Sequence, residues 1–336
     1  MINANELRLP VGRGARLVGL AYLSKAIETS HRLGVAASDP EALHDFRVAV
    51  RRLRSWIRAF KHELKDVRRR DLKRLRSIAQ STGDGRDAEV QLEWLAGIAL
   101  GDDKTAKRGA EWVGEILQAR RNRAGEAMVE LIGDRFGKLH AVLEEQLGTY
   151  TESLHASPTE TLAEAIAARA LAATHDVHHA LDEVHTITDE TPSHEARIAV
   201  KRLRYLVEPA ADHVEGGGAL VRELKSIQDM LGALHDRHMM AYELANLMDA
   251  SASLSARRQM AKALGAFGEC LSTTSGRQDL EKPIAGTALI AVAHRLRADL
   301  ETDFQTVADS LLDGKQRALD EQIEAFTTRL QSEYVP

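Results

Sequence analysis

An eleven-residue pattern occurs twice in this chain of 336 residues, and nothing else in the sequence restricts the fold as much. His44-Asp-Phe-Arg-Val-Ala-Val-Arg-Arg-Leu-Arg54 lies over His194-Glu-Ala-Arg-Ile-Ala-Val-Lys-Arg-Leu-Arg204 at an offset of 150 residues. A second match follows in the same order. Leu75-Arg-Ser-Ile78 with Gly83 and Asp87 lies over Leu224-Lys-Ser-Ile227 with Gly232 and Asp236 at an offset of 149. Two ordered matches at nearly one offset make the chain a duplicated unit of about 150 residues. The boundary is expected at Ser153–Glu160. The predicted organisation is a tail over 1–10, a first half over 11–156 and a second half over 157–336.

Apolar periodicity gives long helical stretches and almost no strand. Aromatics are only 4% of the chain and Pro numbers seven, so helix-compatible Ala, Leu, Arg and Glu dominate. Breaks are predicted near Ser38–Pro40, Gly83–Gly85, Ser153–Thr161, Asp189–Ser193, Gly216–Gly218 and Thr273–Pro283. The start of the chain has no signal-like apolar stretch, and the single Cys270 cannot form an internal disulfide. The most apolar run, Ala288–Ala293, falls far short of the ~20 residues that span a bilayer. No membrane crossing and a cytoplasmic location are therefore expected, with no cofactor required.

The net charge of −5 argues against a polyanionic partner until its distribution is examined. Between His44 and Arg76 stand thirteen Lys and Arg against four acids, a local balance of +9 that leaves −14 for the remainder. Such segregation attracts an anion to one place while keeping the whole molecule soluble.

At about 100° per residue, His44, Arg47, Arg51, Arg54 and Arg58 share a stripe about 80° wide. Phe46, Ala49, Val50, Leu53, Ile57 and Phe60 form a separate apolar face. His194, Arg197, Lys201 and Arg204 repeat the stripe in the second copy. The following helix adds Arg69, Lys73 and Arg76, and the equivalents of the last two are Arg222 and Lys225. Neighbouring cations repel one another along a helix, and an anion relieves that repulsion. Arg supplies bidentate hydrogen bonds to phosphate oxygens and Lys a mobile point charge. A merely solvated face would need charge but not the same spacing twice. His44 and His194 are expected to open their helices, where they could donate to phosphate, more strongly below about pH 6.5, or simply cap the backbone. Asp87 and Asp236 read equally as helix N-caps or as carboxylates that aim an Arg. Gly83 and Gly232 read as turn or close-packing positions.

These paired His-x-x-Arg helices resemble the CHAD family, named for a conserved-histidine α-helical domain. The second copy, HEARIAVKRLRYLVE followed by LKSIQDMLGALHD, is especially similar; the first matches as HDFRVAVRRLRSWIRAF and LKRLRSIAQSTGDGRD. The similarity runs from about residue 11 to the C-terminus. It implies an all-α fold of two pseudo-symmetric four-helix bundles whose basic faces form one central groove or pore. It further implies binding of inorganic polyphosphate and association with polyphosphate granules. The implied ligand positions are His44, Arg47, Arg51, Arg54, His194, Arg197, Lys201 and Arg204, supported by Lys73, Arg76, Arg222 and Lys225. Arg58 lengthens the first row, but its counterpart is Glu208, so the two rows are unequal. The Glu-x-Glu-x-Lys pattern of the triphosphate-hydrolysing domain fused to some members is absent, and catalysis by that route is not expected.

Two other functions compete. His44-Asp45, His175-Asp176 and His235-Asp236 echo metal phosphohydrolases, and Glu41-x-x-His44 with Glu152-x-x-His155 echo di-iron bundles. A dication beside Arg47 and Arg51 would be repelled unless a phosphate bridged them, so neither a catalytic nor a metal site is expected. Single-stranded nucleic acid stacks on aromatic rings, and only Trp56 and Tyr205 lie near the basic stripes. A phosphate polymer without bases fits better.

Overall fold

The computed structural model describes residues 3–35, 40–81, 83–148, 160–265, 282–314 and 316–334, and every regular element among them is helical. The expected all-α class is therefore correct. The elements are α1 (Val11–Val35), α2 (Pro40–Ala59), α3 (Arg69–Ser81), α4 (Gly83–Gly97), α5 (Lys104–Leu131), a π-helical turn (Ile132–Phe136), α6 (Gly137–Gly148), α7 (Leu162–Asp182), α8 (Glu190–Ala211), α9 (Gly217–Leu264), α10 (Gly286–Leu311) and α11 (Arg317–Tyr334).

Helix ends follow local chemistry. Thr161 accepts from the Glu164 backbone N–H at 3.2 Å while the Glu164 carboxylate accepts from the Thr161 N–H at 2.6 Å, closing a capping box on α7. Between α8 and α9, Gly216 adopts φ +83, and a Cβ on Gly217 would lie 2.4 Å from the Ala211 carbonyl oxygen. Glycine is required at both, which explains the predicted break there. Breaks expected at Gly83–Gly85 and Asp189–Ser193 coincide with the starts of α4 and α8. The breaks at Ser153–Thr161 and Thr273–Pro283 lie mostly outside the described residues, as does Cys270, and that at Ser38–Pro40 is described only at Pro40.

Contacts divide the chain into two compact units, each drawing on both sequence halves: residues 1–83, 125–232 and 306–336 form the first, and 84–124 with 233–305 the second. In the first unit α1 packs on α2, α6 and α7, α7 packs on α8 and α11, and α2 packs on both α3 and α8. The arc predicted for α2 is buried: Phe46, Val50, Leu53, Ile57 and Phe60 are at most 1% exposed and Ala49 4%, and Trp56 is buried beside them at 1%. Burying each such side chain stabilises the fold by about 1.5–3 kcal/mol. Trp56 also donates to the Ala15 carbonyl at 2.8 Å, so its ring brings no unsatisfied polar group into the core. The residues expected as a tail form a short 3-10 turn, Ala4–Arg8, with Leu7 fully buried.

The second unit has its own core of Trp94, Val113, Leu117, Leu244, Leu289 and Val292 among others. Trp94 donates to Asp299 at 2.7 Å. Arg120 makes two hydrogen bonds to Glu243, 2.9 and 2.8 Å, and Arg237 lies 3.3 Å from Asp303. The α9 helix contributes 217–232 to the first unit and 233–264 to the second. No described helix is long and apolar enough to cross a membrane.

Candidate functional site

Both copies of the eleven-residue pattern are in the first unit, on α2 and α8, and these helices pack directly against one another. Their apolar arcs face the core, so the basic stripes flank the contact. One strong bridge crosses it. Arg52 donates to both oxygens of Glu208, Nε–Oε2 2.8 Å and Nη2–Oε1 3.1 Å. Arg204 reaches the same carboxylate at 3.5 Å and lies 4.8 Å over the Tyr205 ring. Tyr22 of α1 shares this cluster; burial, then the charge of Glu208, holds its hydroxyl protonated well above the usual phenol range.

Lys201 is the most perturbed cation. Burial pushes its ammonium down to about 7, and the charges of Arg197, Arg51, Arg202 and Arg54 push in the same direction. Arg54 is held below the ordinary guanidinium range by burial and then by Arg76, Arg58 and Arg51. Arg202 is lowered by burial and by Arg58, with Asp176 opposing. Because α2 packs on both α3 and α8, Arg76 of α3, Arg51, Arg54 and Arg58 of α2 and Arg197, Lys201 and Arg202 of α8 form a cationic band across the three helices, near enough for their charges to act on one another. Among the described residues no carboxylate lies within ion-pair distance of Arg51, Arg54, Arg58, Arg76, Lys201 or Arg202. The Nε of Arg51 is buried with no hydrogen-bond partner. Like charges gathered without counter-charge in a partly desolvated place can hold anionic groups, because each incoming oxygen relieves repulsion and accepts a charge-assisted hydrogen bond.

The remaining predicted positions are placed differently. Arg47 and Arg204 are 8% and 7% exposed, and Arg204 is committed to Glu208. His44, Lys73, Arg222 and Lys225 are exposed, with Lys225 held by Asp229 one turn along α9 at 2.5 Å. His44 and His194 do not open their helices as expected. Each is the fifth residue, because α2 begins at Pro40 and α8 at Glu190. Pro40 suits a first helical position, where its missing N–H leaves no bond unmade. Burial and the charges of Arg197 and Lys201 hold His194 below the usual imidazole range, so its protonation requires more acid than expected.

Asp87 and Asp236 are not N-caps either. Asp87 lies inside α4 and Asp236 in the middle of α9, both in the second unit. Gly232 sits inside α9 with open space around a would-be Cβ, neither turn nor close contact. The motif pairs suggestive of metals are dispersed. His44-Asp45 lies on α2, His175-Asp176 on α7 and His235-Asp236 on α9; Asp45 binds Arg32 at 2.8 Å, and Glu152 and His155 lie outside the described residues. Among the described residues no three His, Cys, Asp or Glu side chains are grouped to hold a metal ion.

Arg52, Arg202 and Glu208 were absent from the predicted set, yet they shape the site. The signal is present in the sequence: Arg52 and Arg202 occupy the same repeat position, and Glu208 is an acid where the first copy has the basic Arg58. A helical wheel assigns faces within one helix, but it does not reveal which residues meet across two.

The comparisons agree with this architecture. A family model, the CHAD domain, matches residues 21–245. The crystal structure of the CHAD domain from the plant Ricinus communis superposes with a TM-score of 0.58, covering 96% of this chain and 94% of that one at 18% identity. No curated protein sequence matches the chain. With the family model spanning well over half its residues, the chain belongs to the CHAD domain family.

Proposed function

We infer that this protein binds inorganic polyphosphate, without catalysis, on the cationic band of α2, α3 and α8. The observation carrying this reading is that Arg51 and Arg54 on α2 and Lys201 and Arg202 on α8, helices that pack on one another, have no carboxylate within ion-pair distance among the described residues. Repulsion of that kind weakens the fold unless a ligand compensates it, and it uses the cations that the sequence repeats. A chain of phosphates supplies negative charge at regular spacing along the band and neutralises several cations at once. Recruitment to polyphosphate granules in the cytoplasm follows from the same affinity.

Nucleic acid is the rival polymer. Trp56 and Tyr205 are 1% and 3% exposed, and Phe46 and Phe60 are fully buried, so none of these rings on α2, its C-terminal end or α8 offers a platform for bases. A ligand with phosphates alone suits such a surface.

Titration calorimetry with polyphosphates of defined length tests the proposal. Affinity is expected to rise with chain length and fall with salt through counterion release. Arg51→Glu and Lys201→Glu are expected to weaken binding strongly. Displacement of polyphosphate by single-stranded RNA at equal phosphate concentration would favour the nucleic-acid reading. Phosphate release in Mg or Mn that vanishes in His235→Ala would replace binding with hydrolysis.

A further inference from the structure

In the second match of the repeat, α3 and the start of α9 occupy equivalent places, yet one buried position differs in kind. Leu75 lies over Leu224, so Asp71 lies over Leu220. Leu220 is 1% exposed, and Asp71 is a carboxylate exposed at 0%. Packing alone is satisfied by leucine at this position in the second copy. Burying a carboxylate instead is costly unless hydrogen bonds compensate it.

Those bonds come chiefly from α6. Gln146, itself 8% exposed, donates from Nε2 to Asp71 at 3.0 Å and accepts the Arg68 backbone N–H on Oε1 at 3.2 Å. Its amide thus spans the first turn of α3, holding one backbone donor and one side chain. The Gln146 backbone carbonyl in turn accepts from Arg16 of α1 at 2.9 Å, and Arg16 also binds Asp66 in the connection from α2 to α3. On the solvent side Arg74 donates to Asp71 at 3.2 Å and Arg70 lies 3.6 Å away, both from exposed positions. A helix of 13 residues is marginal in isolation, and this one is tethered at its first turn. The equivalent residues of the second copy begin a helix of 48 residues and carry no such carboxylate.

What α3 carries gives the tether its consequence. At about 100° per residue, Arg69, Lys73 and Arg76 stand on the side opposite Asp71, and all three are exposed. The helix packs on α2, whose Arg54 feels the charge of Arg76. We propose that Asp71 and Gln146 are positioning residues of the polyphosphate site: their buried hydrogen bond fixes the rotation of α3 on α6 and so holds Arg76 beside the cations of α2. This rests on the function proposed above and deepens it, adding two residues that act without touching the ligand.

Full-chain variants test this, with long-chain inorganic polyphosphate as the probe. Removing a negative charge close to a cationic band would, by electrostatics alone, tighten the binding of an anion. Asp71→Leu, which gives α3 the side chain of the second copy, is instead expected to weaken binding about fivefold. Gln146→Ala changes no charge and is expected to weaken it by about as much, but by less than about twofold in an Arg76→Ala background, because the two changes remove the same contribution. Tighter or unchanged binding by Asp71→Leu overturns the positioning role, as does an equal loss from Gln146→Ala with and without Arg76→Ala. Should Asp71→Leu fail to fold, the Gln146→Ala comparison decides alone. If wild-type protein binds no polyphosphate, the function proposed above fails and the positioning role with it.

Discussion

The α2–α8 band of the first unit and the partly buried arginines of the second unit meet their charge in opposite ways. In the second unit Arg120 is matched oxygen for nitrogen by Glu243, Arg237 meets Asp303, and Arg86 lies 3.3 Å from Glu89. Along the α2–α8 band of the first unit, Arg51, Arg54, Arg58, Lys201 and Arg202 have no such partner among the described residues. Composition does not explain the contrast, since the chain carries more Asp and Glu than Lys and Arg, 50 against 45. The acids are simply not placed beside the band. Pairing a half-buried arginine with a carboxylate stabilises a fold, whereas leaving it unpaired keeps its charge for something that arrives from solution. Even within the first unit the contrast recurs, for Arg52 and Arg204 share the Glu208 carboxylate while Arg51 and Arg54 on the same helix pair have none among the described residues.

The largest effect that would break this comparison is a charge reversal in the band. Lys201→Glu should weaken polyphosphate binding by about 100-fold, roughly 3 kcal/mol, because it removes one attraction and adds a repulsion. An unchanged isotherm would mean the band is not where the ligand sits. Arg120→Ala should do the converse: unfolding by denaturant should show a loss of about 2 kcal/mol, since Glu243 keeps its burial without its partner, while polyphosphate affinity stays as in wild type. A smaller effect sharpens the role of the unpaired ammonium. The Lys201 pKa lies near 7 in the folded protein against 10.5 for the free side chain, so the unfolded chain binds more protons between those values. Ligand-free stability attributable to Lys201 should therefore rise as pH climbs from about 7 to about 10.5, and its destabilising influence should be complete below about 7. Lys201→Met should accordingly raise the Tm by about 3 °C at pH 6.5 and by nothing above pH 10.5. The smallest change is expected for His44→Ala, within about threefold in affinity, because an exposed imidazole adds little to a band of permanent charges.

The sequence made the helical class legible through its scarcity of aromatics and prolines, and the repeat singled out α2 and α8 before any coordinates. Wheel geometry correctly separated Phe46, Leu53 and Ile57 from Arg51 and Arg54, because both faces belong to one helix. What it could not show lies between helices. Arg204 shares the predicted stripe, yet it is drawn to Glu208, and only the packing of α2 on α8 reveals why. Lys225 likewise matches Arg76 in the repeat but has Asp229 one turn away on α9 to hold it. His44 and His194 do not stand at helix starts, because each helix begins before the repeated pattern does. Pro40 and Glu190 lie one turn upstream, outside the repeated residues.

Proton uptake on ligand binding is the most direct test that phosphates seat on the unpaired cations. Calorimetry of polyphosphate binding at pH 8, in two buffers of different ionisation enthalpy, should show wild-type protein taking up close to one proton per site as Lys201 becomes charged beside the anion. The Lys201→Met protein should take up almost none. Binding by the wild-type protein without uptake, or uptake that persists in Lys201→Met, would contradict a polyphosphate site built on the band between α2 and α8.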